Sequence, residues 1–263
     1  MEFTTERTYV MPVAFGPQHP HPAGHFVDVR TLMVMYRTTH EAIADVLPPG
    51  LEPGVDPLLY AYTQRCRGVN FLAGGEYRLF GVNVAARYAG SQGPIDGQYA
   101  LILWETDMEA VIRGRELLGI PKLMAEVDDP EPTDARFSVS AWERGRRLAR
   151  IQMDEGLPMD AQVLDQLAGE LAAQAWFGWK HIPRIDGVGA EVSQLTKIGI
   201  VNQPSAGWEC RGSLEFGEVA WEECPSSSTA VSGLSQVPLI EPVRAYRTEG
   251  TVTLTRADHR VLT

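Results

Sequence analysis

The chain has 263 residues, a formal net charge of -11 at pH 7 and 44% hydrophobic residues. That length suits one domain, residues 1–263, with a substantial core, and the negative charge argues against a nucleic-acid or anionic-membrane surface, both of which call for clustered Lys and Arg. No segment joins a basic start to a long apolar core, and no apolar run approaches the ~20 residues needed to span a bilayer, so a cytoplasmic chain is expected. Cys66, Cys210 and Cys224 are odd in number and lack paired spacing, which points to neither a disulfide framework nor a zinc site.

Residues 1–24 are rich in Pro, Gly and His and read as an irregular arm. His19, His21 and His25 are spaced for a metal but lie in a Pro-rich loop without carboxylate or cysteine companions, so no metal is expected. Residues 27–37 alternate in hydropathy and read as a strand. Thr38 to Glu41 has the capping-box form and opens a helix through Val46 and Leu47, stopped by Pro48-Pro49-Gly50. Strands are predicted at 57–66, 77–89, 97–105, 122–128, 135–142 and 146–153, joined mostly by connections too short for a crossover helix, so the sheet should be mainly antiparallel. The basic run Arg144 to Arg150 falls in a hairpin and reads as a solvated strand face. A helix over 159–173 has Asp160 near its start and Leu164, Leu167 and Leu171 on one face. Strands return at 176–182, 190–200, 207–217, 239–247 and 250–256, and the loop 225–228 reads as flexible. Gly187-Val188-Gly189 lacks the strand-then-helix setting of a phosphate-binding loop, so no nucleotide cofactor is expected. The pattern is α+β, with a large antiparallel barrel-like sheet and a few peripheral helices.

The stretch from Thr106 to Lys122 carries the chemistry. Thr106-Asp107-Met108-Glu109 has the capping-box form, Val111, Leu117 and Leu118 supply apolar positions at helical spacing, and Gly119 with Pro121 ends the helix. Lys122 then stands at a helix-to-strand junction beside Leu118, Ile120, Leu123 and Met124. A lysine in such a place either packs its stem on apolar surface and sends its ammonium to water, or is buried. Burial favours the neutral amine, which attacks carbonyls to form a Schiff base.

Gly114-Arg115-Glu116-Leu117, followed after three residues by Pro121-Lys122, resembles the signature of the acetoacetate decarboxylase superfamily, whose lysine after that proline forms the Schiff base. Activation of that family's lysine is itself a standard example of a tuned nucleophile. Val34 to Thr38, Pro48 to Glu52, Gly75-Glu76, and Trp179 to Arg184 with Asp186-Gly187 resemble family stretches in the same order. The resemblance implies a β-barrel or cone with a deep pocket, a homo-oligomer, and no cofactor. It assigns catalysis to Lys122 and to Glu76 as general acid/base. Candidate substrate contacts are Arg115, Glu116, Gln64, Arg30 and Leu118. Arg115 and Glu116 could equally form structural ion pairs.

Three positions depart from the family pattern. The second lysine of decarboxylases is Leu123 here, the family's strand arginine falls at Val29 with Arg30 one residue off and so on the other face, and a further glutamate falls near Ala61 with Gln64 the nearest polar residue. The chain resembles superfamily members that have lost such groups, and that resemblance implies a Schiff-base lyase of 2-oxo acids, of the pyruvate aldolase-dehydratase or 2-oxo-enoate hydratase type. The alternatives are a β-keto-acid decarboxylase that uses Arg30 or Arg65 for the carboxylate, and a barrel that binds a small ligand without chemistry.

Overall fold

The computed structural model describes residues 3–17, 23–90 and 93–263, so His19 and His21 lie outside the described residues. In chain order the elements are β1 (Ala23–Arg37), α1 (His40–Ala44), β2 (Leu51–Pro53), β3 (Leu58–Val69), β4 (Gly75–Gly90), β5 (Gly93–Glu105), α2 (Met108–Arg113), β6 (Lys122–Met124), β7 (Glu126–Val127), β8 (Arg136–Glu143), β9 (Arg146–Asp154), β10 (Leu157–Pro158), α3 (Ala161–Ala173), β11 (Ala175–Pro183), β12 (Ala190–Ile198), β13 (Ile200–Cys210), β14 (Gly212–Phe216), α4 (Ser228–Ser235), β15 (Glu241–Thr255) and β16 (Arg260–Val261). A 12-stranded sheet runs in the order β10-β13-β15-β1-β3-β4-β5-β11-β12-β16, with β2 on β4 and β6 on β5, and a 4-stranded sheet runs β14-β9-β8-β7. Pairing is antiparallel as expected, except that β5 pairs in parallel with both β11 and β6.

The large sheet has to curl. Strands β12 and β13 lie near opposite ends of its order, a width of about 34 Å if the sheet were flat, yet Gly199 alone links them, a reach of about 8 Å. Chain from the C-terminal end spans the seam: β15 pairs with β13 and β16 pairs with β12. Thr255 donates its backbone N–H to the Gly199 carbonyl at 2.9 Å. Among the described residues no ladder joins β12 directly to β13, so the sheet forms a cone with a seam rather than a closed barrel.

Strand alternation sorts the side chains. Val29, Met33, Tyr60, Tyr62, Cys66, Tyr77 and Leu79 face the inside of the cone. Their sequence neighbours Leu32, Val34, Leu59, Ala61 and Phe80 face out, with Val82 two further along β4, and pack with Phe137, Val139, Leu148, Ile151 and Leu214 of the small sheet. Burying each of these large aliphatic or aromatic chains contributes about 1.5–3 kcal/mol. At the edge of this layer the buried indole N–H of Trp104 donates to Ser227 Oγ at 3.0 Å.

Several local expectations are corrected. The caps are Thr39, which accepts from Ala42 N, and Asp107, which accepts from Ala110 N, not Thr38 and Thr106; Thr106 Oγ1 instead accepts the N–H of Arg78 at 2.9 Å. The predicted strand 122–128 divides between the two sheets as β6 and β7, strand 207–217 divides likewise as β13 and β14, and 239–247 with 250–256 is the single strand β15. The stretch 225–228, whose Ser227 is fully buried, runs into α4 at Ser228, and α4 caps the small-sheet core through Val231 and Leu234. The helix over 159–173 agrees with α3, capped by Asp160. The basic run turns at Arg144-Gly145, both with positive φ, and Arg146 pairs with Glu223 and Arg150 with Glu215.

Gly119 ends the segment before Lys122 in the left-handed region (φ 75°), where an added Cβ would lie 2.5 Å from the Lys180 nitrogen and 2.7 Å from its Cα. Backbone on β11 cannot move aside cheaply. Gly119→Ala is therefore expected to cost about 3 kcal/mol or more and to lower the thermal midpoint by roughly 6–12 °C, measured by calorimetry.

Candidate active site

The segment from α2 to β6 aims Lys122 into the cone. Residues Gly114–Leu118 form one wide π-type turn after α2, Gly119 reverses the chain, and the Ile120 N–H donates back to the Gly114 carbonyl at 3.0 Å. Parallel pairing of β6 with β5 sets Lys122 opposite Leu103. The Lys122 stem lies directly over Gly114: a Cβ added there would meet Lys122 Cδ at 2.3 Å and Cε at 2.4 Å.

Lys122 is 7% exposed. Its Nζ lies 2.8 Å from Glu105 Oε1 and donates to the Ala110 carbonyl at 3.2 Å. Glu105, the last residue of β5, is fully buried. Its contact with Nζ is an ion pair at hydrogen-bond distance but of poor hydrogen-bond angle, and neither of its oxygens has a well-formed hydrogen bond. Burial pushes the Glu105 carboxyl above its ordinary value, with Lys122 opposing the shift.

The pair borders a cavity of about 60 Å³ walled by Phe26, Tyr62, Gln64, Cys66, Tyr77, Trp176 and Asn202 among others. An adjoining cavity of about 50 Å³ shares Tyr62, Gln64, Trp176, Asn202 and Val252. Since about 10–15 Å³ measured this way holds one water, together they take a molecule of a few heavy atoms. The Tyr62 hydroxyl is buried with no well-formed hydrogen bond, and burial drives its pKa upward, which keeps it a proton donor. Burial likewise pushes the Cys66 thiol up to about 12, leaving it protonated.

Of the residues singled out from the sequence, the fold brings Lys122 and Gln64 to one cavity; Gln64 donates to Thr31 Oγ1 at 3.1 Å. Leu118 lies beside it, in the apolar cluster of Ala100, Leu103 and Ile120, with its carbonyl accepting from Thr196 Oγ1. Arg115 is exposed and donates to the Lys122 carbonyl at 2.8 Å, bracing the backbone rather than reaching the cavity. Glu116 is half-buried on the same turn, outside the cavity wall.

Two of the singled-out residues lie away from the cavity. Glu76 is on the outer face of β4, 52% exposed and paired with Arg67 at 2.8 Å, because its neighbour Tyr77 occupies the inward position. Arg30 faces outward as its register predicted and binds Glu131 at 2.9 Å. Arg65 is also on that side, held by Asp129 and Glu131. Glu105, which the fold places beside Lys122, was not singled out from the sequence. The available signal was a carboxylate at the end of an apolar strand, immediately before the helix that carries the lysine motif.

The acetoacetate decarboxylase family model matches residues 10–262. An acetoacetate decarboxylase of Burkholderia vietnamiensis is 24% identical over 257 residues, covering 94% of this chain and 92% of the relative. The crystal structure of acetoacetate decarboxylase from Legionella pneumophila superposes with a TM-score of 0.75 at 20% identity, covering 100% and 98% of the two chains. The enduracididine biosynthesis enzyme MppR, solved in complex with pyruvate, superposes with a TM-score of 0.71 at 18% identity over 97% of each chain.

Proposed function

The chain belongs to the acetoacetate decarboxylase family, and from that premise we propose that it is a Schiff-base-forming lyase in which Lys122 is the nucleophile and Glu105 moves the protons. The observation that carries this reading is an amine 2.8 Å from a fully buried carboxylate at the wall of a small, mainly apolar cavity.

In the proposed sequence Lys122 gives one proton to Glu105, the freed Nζ lone pair adds to a carbonyl carbon, and the carbonyl oxygen leaves as water with one proton from Nζ and one returned by Glu105, so that a cationic C=N bond and a Glu105 carboxylate remain. The cationic imine acidifies the neighbouring C–H. Glu105, beside the nitrogen, takes that proton to give an enamine, which can attack an aldehyde; the same imine conjugated to an alkene can lose or add water. Tyr62 offers a neutral donor to the departing oxygen. The 2-oxo acids are the class that the sequence resemblance implies, and a fold neighbour that holds pyruvate supports testing them first. The decarboxylase alternative loses support in the form given from the sequence, because Arg30 and Arg65 are engaged on the outer face.

Incubation with pyruvate or acetoacetate, reduction with borohydride and peptide mass spectrometry test the reading. An adduct on Lys122 is expected; reversible binding without one would favour a non-catalytic barrel. Glu76→Gln should leave Lys122 labelling unchanged and alter stability by less than about 1 kcal/mol, since an exposed, screened pair contributes little; loss of labelling would return Glu76 to the mechanism.

Burial also fixes the sign of the pH dependence. A carboxyl raised by burial stays protonated to higher pH, so a step that needs it as a base fails earlier on acidification. The acid limb of kcat/KM should lie above the value of about 4.3 for an ordinary glutamate and should vanish in Glu105→Gln.

A further inference from the structure

Lys122 and Glu105 border one of two adjoining cavities inside the cone, and the two meet at a shared wall of Tyr62, Gln64, Trp176, Asn202 and Val252. At about 60 and 50 Å³, each has room for a fragment of about four heavy atoms. A condensation needs such a second space, because the enamine on Lys122 occupies the first and its acceptor has to lie beside it.

The two cavities differ in their walls. The first is closed by Phe26, Leu79, Leu103 and Ile120. The second is lined by Thr31 and Thr248, which stand directly opposite each other on β1 and β15. Strand alternation puts this pair on the inner face with Val29, Met33 and Tyr246. Thr31 Oγ1 accepts the Gln64 amide N–H at 3.1 Å and keeps its own proton to donate. Asn202, from the shared wall, adds an amide that both donates and accepts. Groups of this kind match a hydroxyl, whereas an alkyl chain would strip them of water and return no hydrogen bond.

We infer that the second cavity is the acceptor subsite of the reaction, that it selects a short hydroxyaldehyde, and that Thr31 and Thr248 hold the acceptor's hydroxyl group. In the coupling step the enamine C=C pair forms the new C–C bond to the aldehyde carbon, and the nitrogen lone pair restores the cationic C=N. The aldehyde oxygen takes the proton that Glu105 removed from the 2-oxo acid, so the carboxylate is regenerated.

This inference rests on Lys122 forming an imine with a 2-oxo acid, and the experiment separates the two. Pyruvate is held at saturation while glycolaldehyde is compared with propanal, in which a methyl group replaces the hydroxyl at nearly the same size. Condensation products are quantified by mass spectrometry. Each kcat/KM for the aldehyde is divided by the rate of the same aldehyde with pyruvate and free Nα-acetyl-lysine, which removes intrinsic reactivity. Borohydride trapping of pyruvate on Lys122 is measured alongside. The expected result is a normalised preference for glycolaldehyde of about tenfold or more, narrowed severalfold in Thr31→Val and in Thr248→Val, each of which keeps the β-branched shape and removes the hydroxyl. Should either variant not fold, the other and the wild-type pair decide. With Lys122 labelled by pyruvate, equal or faster use of propanal, condensation of neither aldehyde, or a preference that survives in full without the threonine hydroxyls would overturn the inference and leave the imine reading intact. Absence of the pyruvate adduct would overturn the imine reading, and the inference with it.

Discussion

Lys122→Ala should abolish turnover, with a loss of about 10⁴-fold or more, the scale seen when a covalent nucleophile is removed, and should end covalent trapping by any carbonyl compound. The amine is the nucleophile of the proposed cycle, and the buried neighbours Cys66 and Tyr77, both held protonated by their surroundings, offer no comparable replacement. Stability has to be followed in parallel. Removing one partner of a buried ion pair can cost about 3–5 kcal/mol when the other charge is left stranded. Glu105 limits that cost by taking a proton, a change that burial already favours. Lys122→Met, which keeps most of the stem that packs on Gly114, separates chemistry from packing: it should match the alanine variant in turnover and trapping and exceed it in thermal midpoint. Residual turnover within about tenfold of the parent in either variant would exclude the imine mechanism.

Gly114→Ala is expected to separate fold from function in the opposite way. Gly114 has helical dihedral angles (φ -64°, ψ -44°), which alanine adopts without strain and favours entropically by about 0.4–1 kcal/mol. The new methyl group, however, would sit 2.3–2.4 Å from Lys122 Cδ and Cε and 3.0 Å from Nζ. The clash is with the far end of a flexible chain, so the lysine yields rather than the backbone. Displacement of Nζ from Glu105 and from the cavity should lower turnover about 100-fold, the scale expected when a reacting group is misplaced by about 1 Å. The gain at Gly114 opposes the loss of the ion pair, and the thermal midpoint should stay within a few degrees of the parent. A folded, fully active Gly114→Ala protein would show that the lysine works from a different position.

The first glycine of the Gly-Arg-Glu to Pro-Lys motif is thus explained by steric access, and its arginine by support of the Lys122 carbonyl. Neither reason is written in the motif itself. The sequence reading offered arginine and glutamate as substrate contacts or equally as structural ion pairs, because spacing along a helix does not say that Arg115 is engaged by a backbone carbonyl beyond the tight turn that follows.

Local order fixed a good deal without help. Alternation and turn residues located most strands and the antiparallel habit of the sheet, Asp160 and the apolar spacing after it located α3, and the one-residue offset of Arg30 placed it outside the cone. The position of Lys122 at a helix-to-strand junction in apolar surroundings followed from Gly119, Pro121 and the flanking side chains alone. Tertiary structure decided the rest. Periodicity marks the two faces of a strand but not which of them lines the pocket when both are buried, as they are along residues 79–86 of β4. At the start of β4, outside that run, Tyr77 pairs with Cys66 of β3 and shares its inner face, which leaves Glu76 on the exposed outer one. Likewise Glu105 and Lys122 are 17 positions apart, and only the parallel addition of β6 to β5, after the chain has reversed at Gly119, brings a carboxylate with no sequence motif to within 2.8 Å of the lysine.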